Sequence, residues 1–269
     1  MKLYRSIVTV SGFTAISRLL GFVRDMLIAL VLGAGPVADA FFVAFRLPNL
    51  FRSLFAEGAF NSAFVPLFTK RLKESGMDDA RQFAEEALAV LMMALLAVTI
   101  VAEIFMPALV GLMAPGFAEN PEKFDLAVLL TRITFPYLFC MSLTALSAGL
   151  LNAMGRFAAA AAAPILLNVV TIGGMILAAS LHLYDRPEAA MILAWSVTVS
   201  GCTQLALLAV VARRHGMDLG FRAPRLTAGV RRLFVLAGPG VVTAGITQIN
   251  LFIGTGSRSE ERRVGKECR

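Results

Sequence analysis

Long apolar runs recur along this chain and constrain its fold more than any other feature. A helix of about 20 apolar residues spans the hydrocarbon core of a bilayer, and in lipid only helices and closed barrels satisfy their own backbone hydrogen bonds. The chain is 58% hydrophobic and 16% charged, whereas soluble domains carry about a quarter charged residues. The sequence therefore predicts an all-α fold, a polytopic helical membrane protein.

Glycine and proline breakers divide the apolar sequence into six full spans and the start of a seventh. The predicted spans cover residues 7–32, 39–68, 83–113, 126–153, 159–181, 189–212 and 233–254. We expect an N-terminal transmembrane lobe over residues 1–215, a basic cytoplasmic linker over 216–232, and the first span of a truncated C-terminal lobe over 233–255.

The last residues, 256–269, change character abruptly, with no periodicity, cap or turn pattern. We interpret this segment as a non-native tail that has no part in the fold. The alternative is a genuine polar tail of the protein.

Lysine and arginine are distributed unequally between the two sides of the predicted membrane. The segments on the side of the N-terminus contain Lys2, Arg5, Lys70, Arg71, Lys73, Arg81, Arg156, Arg213, Arg214, Arg222, Arg225, Arg231 and Arg232. The opposite loops contain only Lys123 and Arg186. Because basic residues in short loops stay in the cytoplasm, we expect a multi-pass protein with a cytoplasmic N-terminus.

The first two predicted spans carry charges that hydrocarbon does not tolerate. Taking 1.5 Å per residue, Arg18, Arg24 and Arg52 fall within about 7 Å of the midplane of their spans. Three central charges facing lipid would cost on the order of 8–10 kcal/mol. These arginines must therefore face a bundle interior or a watery cavity.

Two interpretations of these charges remain open. Arg18 and Asp25 are seven residues apart, as are Asp39 and Arg46, so each pair lies on nearly the same helix face, whereas adjacent side chains such as Arg24 and Asp25 point apart. Buried ion pairs, with Glu57 as a candidate partner of Arg52, would lock the helices together. A cationic cavity for an anionic ligand is the other interpretation, and the planar guanidinium suits phosphate or carboxylate.

The start of the second span also allows two roles for its carboxylate. Asp39 follows a Gly-Pro turn, which suits a helix N-cap, but it could equally act as a gate residue. Pro48, next to Asn49, is expected to kink this helix. A broken helix beside buried charge is typical of transporter sites.

Other functions find little support in the residues. The basic net charge of +7 lies in loops, without a nucleic-acid-binding motif, so we expect no nucleic-acid partner. Cys140, Cys202 and Cys268 show no disulfide or metal spacing. No cluster at a membrane face suits a lipid phosphatase or glycosyltransferase, and a purely structural bundle is the remaining alternative.

Three long motifs in the first two spans closely resemble one known family. They are SRLLGFVRD from Ser17, DAFFVAFRLPNLFR from Asp39 and AEGAFNSAFVP from Ala56. APGF at 114–117, TFPY at 134–137 and the run at 151–157 are similar too. The family is the MurJ (MviN) lipid II flippases of peptidoglycan synthesis, and the resemblance extends over residues 1–254.

The resemblance implies roles for particular residues. Arg18, Arg24 and Arg52 match arginines that hold the lipid II diphosphate, and Asn49 falls in a matching motif as a further substrate-binding residue. Asp39 matches an essential acidic residue near the periplasmic gate, and Asp25 and Glu57 are candidate gate residues or charge partners. These seven residues, with no catalytic and no metal-binding residue, form the predicted site.

The resemblance also implies a function for the whole protein. We expect a two-lobed transporter of the bacterial inner membrane that moves lipid II from the cytoplasmic to the periplasmic leaflet by alternating access. Its partners would be lipid II and membrane lipids, without a cofactor, and the full-length protein would be a monomer. The alternative is an exporter of another polyprenyl-linked sugar, or a multidrug antiporter of the same multidrug/oligosaccharidyl-lipid/polysaccharide exporter superfamily. Members of the MurJ family have about twice as many spans as this chain. Half of the cavity wall would therefore be formed by residues beyond this chain.

Overall fold

A computed structural model describes the backbone of residues 2–55, 59–220, 222–240 and 243, and the side chains of 8–50, 60–220, 222–240 and 243. Its helices are α1 (Lys2–Leu32), α2 (Pro36–Phe55), α3 (Ala59–Glu74), α4 (Met77–Ile104), α5 (Met106–Met113), α6 (Pro121–Thr134), α7 (Pro136–Ala153), α8 (Phe157–Ser180) and α9 (Pro187–Arg214), with a 3₁₀ turn at Pro115–Glu119. A further helix, α10, occupies residues 228–240. This part of the chain contains no strand, which confirms the predicted all-α fold.

Proline divides two of the predicted spans. The span predicted at 83–113 is two helices that meet at Phe105, and the span predicted at 126–153 is two helices that meet at Phe135. Pro107 is the second residue of α5 and Pro136 the first of α7. Because proline has no amide hydrogen, a new helix can begin at these positions but the preceding one loses a hydrogen bond.

Four segments of the described chain are long and apolar enough to cross a membrane. They are Met77–Ile104, Pro121–Ala153, Phe157–Ser180 and Pro187–Arg214. They coincide with the third to sixth predicted spans, while the other three spans remain predictions. Large apolar side chains also cover much of the outer surface; Leu19, for example, is 66% exposed. Such a surface needs lipid or further protein around it.

The helices pack into one bundle with a continuous apolar core. Helix α1 packs along α8. Both α7 and α8 pack along α9, and α2 packs against α6. A column of rings joins α3 to α4: Phe64 stacks on Phe68 and on Phe83, with ring centroids 5.7 and 5.6 Å apart. Stacked aromatic pairs of this kind add to the free energy gained by burial.

Pro48 lies inside α2, and the helix continues through it. The proline ring cannot donate to the carbonyl of Ala44, four residues earlier. The hydroxyl of Thr134 on α6 donates to that oxygen instead, at 3.0 Å, and Thr134 is fully buried. A neighbouring helix therefore supplies the hydrogen bond that the proline removes.

The segment between α9 and α10 is fastened to α4 by two buried carboxylates. Glu85 accepts hydrogen bonds from the backbone amide of Gly220 at 3.0 Å and from Arg222, and Glu86 accepts one from Thr227 at 2.7 Å. Both glutamates are buried. We call these five residues the linker clasp. It holds the predicted cytoplasmic linker against the lobe.

α10 begins at residue 228, five residues before the predicted seventh span. Its buried residues Val230, Leu233 and Ala237 recur at helical spacing, and the Phe234 ring meets that of Phe60 edge-on at 6.1 Å. The helix thus packs against α3. The predicted domain boundaries at 215, 232 and 255 and the non-native tail remain predictions.

Candidate functional site

The predicted site residues divide between two helices. Arg18, Arg24 and Asp25 lie on α1, and Asp39 and Asn49 on α2. The side chain of Arg52 and the whole of Glu57 lie outside the described residues.

Arg24 is the best defined of the predicted arginines. Its Nε and Nη2 donate to one carboxylate oxygen of Asp25 at 3.0 and 2.8 Å, and its Nη1 donates to Oδ1 of Asn168 at 3.0 Å. Its side chain is 21% exposed. An arginine has five N–H donors, so two of them have no partner among the described residues.

The expectation that Arg24 and Asp25 point apart is wrong. Their Cβ atoms are separated by about 100° around the helix, but the long arginine side chain folds back and reaches the neighbouring carboxylate. Asp25 therefore pairs with Arg24 rather than with Arg18, the residue on the same helix face. Arg18 is exposed, and it has no hydrogen-bond or ion-pair partner within the described part of the chain.

Arg24 and Asp25 line a cavity of about 400 Å³ on the lobe. Helices α1, α2, α8 and α9 form its walls, and it is open to the outside beside Asp25 and Phe42, whose side chains are exposed. Apart from the two charged residues and Thr171, its lining is aromatic or aliphatic, from Ile28, Phe41, Phe42, Phe45, Leu167, Leu193 and Val197. A charge in such surroundings interacts more strongly with an ion of opposite sign than it would in open water.

Asp39 occupies the first turn of α2, which begins at Pro36. The N-cap interpretation is therefore wrong, because the cap position precedes the proline. Its carboxylate lies 2.6 Å from the ammonium of Lys123 on α6, and not against Arg46. The same ammonium lies 4.2 Å from the ring centroid of Phe117, a cation–π contact.

Asn49 uses its side chain locally. Its Nδ2 donates to the carbonyl oxygen of Phe45 at 2.9 Å, one turn earlier on α2. The second N–H and the amide oxygen of this half-buried side chain are left for a ligand.

The site offers positive charge and hydrogen-bond donors rather than metal ligands. Among the described residues, no group of three or more histidines, cysteines and acidic residues lies close enough together to hold a metal ion. The arrangement around Arg24 suits non-covalent recognition of an anion whose remaining surface is apolar.

Two residues that shape the site were missed by sequence reasoning. Asn168 and Lys123 are 144 and 84 residues away from the side chains that they contact. Asn168 is a single strongly polar residue inside an apolar run, and that was the available signal for it. Lys123 gave no comparable signal because the sequence places it in a predicted polar loop before the span at 126–153, whereas the structure has it in the first turn of α6.

A sequence model of the family described as lipid II flippase MurJ matches residues 28–256. A protein of Rhizobium meliloti named as a probable lipid II flippase MurJ is 52% identical over 95% of this chain and 48% of its own length. The lipid II flippase MurJ of Burkholderia cenocepacia is 38% identical over 95% of this chain and 49% of its own. The chain thus spans about half the length of the curated relatives that it matches.

Solved structures match the fold as well. A lipid II flippase MurJ in an inward closed conformation gives a TM-score of 0.69 at 24% identity, over 91% of this chain and 49% of that one. A transporter of the MOP superfamily from Pyrococcus furiosus gives 0.70 at 18% identity, over 92% and 54%. The bundle is therefore a multi-pass helical membrane fold of the kind found in these transporters.

Proposed function

This chain belongs to the MurJ family of lipid II flippases, and on that premise we propose that the complete protein moves lipid II across the bacterial inner membrane. The direction would be from the cytoplasmic to the periplasmic leaflet. The chain supplies one lobe, and the rest of the protein supplies the opposite wall of the cavity.

The observation that carries this proposal is the state of Arg24. Its guanidinium is held by two partners at the wall of an otherwise apolar cavity and keeps two N–H donors without a partner among the described residues. A diphosphate presents several oxygen acceptors, and the guanidinium fork binds two oxygens at once. These two N–H donors of Arg24 are thus available to bind a phosphate.

Two further arginines would extend the anion-binding site. Arg18 lies on α1, six residues before Arg24, and it is exposed on this lobe. Arg52, on α2, is the third by sequence. A diphosphate carries more negative charge than one guanidinium neutralises, so several cations facing one cavity fit this ligand better than a single carboxylate.

The lobe has two distinct ends that support the proposed orientation. Asp39 and Lys123 meet at one end, where α1 turns into α2. Arg156, which precedes α8, and the linker clasp lie on the other side of the predicted spans. With the N-terminus in the cytoplasm, Asp39 stands at the periplasmic mouth.

Translocation then needs no covalent chemistry. The two lobes rock so that the cavity opens alternately to each leaflet, while the lipid tail stays in the bilayer. An inside-negative potential favours outward movement of the anion by about 2.3 kcal/mol per charge per 100 mV. Asp39 would serve the periplasmic gate.

The test is lipid II translocation by the complete protein in proteoliposomes. We expect Arg24→Ala to lower the rate at least about tenfold, since a hydrogen bond to a charged group contributes about 1.5–3 kcal/mol. Arg214→Ala, at the exposed end of α9, is the matched control and should keep the wild-type rate. A wild-type rate for Arg24→Ala would overturn the proposed role of this site.

A further inference from the structure

We propose that Asn168 is a positioning residue, which fixes the guanidinium of Arg24 in the orientation that binds the substrate's diphosphate. This inference rests on the proposed function. Asn168 lies on α8 and contacts Arg24 and Ser17 on α1. Its effect on the bound substrate is exerted through Arg24.

Both polar atoms of the Asn168 side-chain amide form hydrogen bonds with α1. Its Oδ1 accepts from Nη1 of Arg24 at 3.0 Å, and its Nδ2 donates to the backbone carbonyl of Ser17 at 2.9 Å. The residue is 4% exposed. A buried amide with both ends hydrogen-bonded has one defined orientation, and its oxygen therefore defines the position of the arginine.

The two contacts on α1 are seven residues apart, about two helical turns. Asn168 bridges them across Gly21, where an added Cβ would lie 3.9 Å from both polar atoms of the amide. A methyl group would just touch the amide, and a larger side chain would displace it.

The chemistry of the acceptor distinguishes Asn168 from Asp25. Asp25 is charged and neutralises Arg24, whereas the amide oxygen is neutral and leaves the positive charge available. Asp25 is 66% exposed at its side chain, so it can turn away when an anion enters. Asn168 is buried and continues to hold the guanidinium while the anion is bound.

A double-mutant cycle on lipid II affinity tests this inference in the complete protein, purified in detergent. We expect Asn168→Ala to weaken binding about tenfold, which equals about 1.4 kcal/mol. In an Arg24→Ala background the same change should have no further effect, because the group that it positions is gone. A role confined to helix packing would lower affinity equally in both backgrounds, and that result would overturn the inference.

Substitutions at Gly21 provide a second route that leaves every polar group in place. Gly21→Val should lower affinity by displacing the amide, while Gly21→Ala should keep it near the wild-type value. This pair decides the question if Asn168→Ala does not insert into the membrane. Equal affinities for the two Gly21 variants would contradict the bridge.

The outcomes separate this inference from the proposed function. If Arg24→Ala itself binds lipid II as tightly as the wild type, the proposed function of the site fails. If Arg24→Ala binds weakly but Asn168→Ala binds normally, only the positioning role fails. Ser17→Ala serves as a control: it keeps the backbone carbonyl that Asn168 contacts at 2.9 Å and removes only the longer contact to the Ser17 hydroxyl, at 3.4 Å, so its affinity should stay close to that of the wild type.

Discussion

Lys123 places its ammonium 2.6 Å from a carboxylate oxygen of Asp39 and so ties α6 to the first turn of α2. The Lys123 side chain is 18% exposed and that of Asp39 is 58% exposed. An ion pair this open to solvent contributes at most about 1 kcal/mol, and salt screens it. The pair therefore orients Asp39 more than it stabilises the lobe.

Exchanging the charges of Asp39 and Lys123 distinguishes the structural role of the ion pair from the gate role of the Asp39 carboxylate. We expect the double variant Asp39→Lys, Lys123→Asp to melt within a few degrees of the wild type in the complete protein, because the ion pair is re-formed. Translocation should nevertheless stay impaired, since the gate hypothesis requires a carboxylate at position 39. Recovery of transport by the exchanged pair would show that Asp39 has only a structural role.

The hydrogen bond from Thr134 to Ala44 predicts a stability effect. Thr134→Val keeps the side-chain shape but leaves the Ala44 carbonyl without a donor, because Pro48 has none. A buried polar group without a partner costs about 1–3 kcal/mol. Thermal unfolding of the complete protein in detergent should show a clear decrease in melting temperature.

Thr131→Val is the matched control for that experiment. Thr131 is also fully buried, but its hydroxyl donates to Ala127, within its own helix. We expect a smaller effect there. Adding Pro48→Ala to Thr134→Val should recover stability because it returns an amide donor to α2. Equal losses for both threonine variants, without recovery, would refute the explanation.

Disrupting the linker clasp should make the segment before α10 more sensitive to proteases. Glu85→Ala removes the acceptor of the Gly220 amide and of Arg222, so the segment before α10 should open locally more often. Limited trypsin digestion should then cleave after Arg222 or Arg225 about tenfold faster, as the loss of a charge-assisted hydrogen bond implies.

Glu74→Ala is the control for the clasp. Glu74 is exposed at the end of α3, and its distance to Lys70 is 3.9 Å, so its loss should leave the cleavage rate unchanged. If the two variants were cleaved at the same rate, the clasp would not restrain this segment.

The sequence predicted the helical class and the third to sixth spans, because apolar length alone determines them. It did not predict the breaks at Phe105 and Phe135, since a proline inside an apolar run can either continue a helix, as Pro48 does, or begin another. The motifs indicated the arginines as candidate site residues, and that role remains a prediction. Their partners could not be predicted, because Asn168 contacts Arg24 across 144 residues of chain and only the packing of α1 on α8 brings them together.

The proposed function requires Arg24 to recognise the diphosphate of the substrate. The most direct measurement is the ratio of affinities of the complete protein for a polyprenyl diphosphate and for the matching polyprenyl monophosphate. We predict that the wild type prefers the diphosphate and that Arg24→Ala reduces this preference at least about tenfold, as the loss of a charge-assisted contact implies. An unchanged preference in Arg24→Ala would contradict the account.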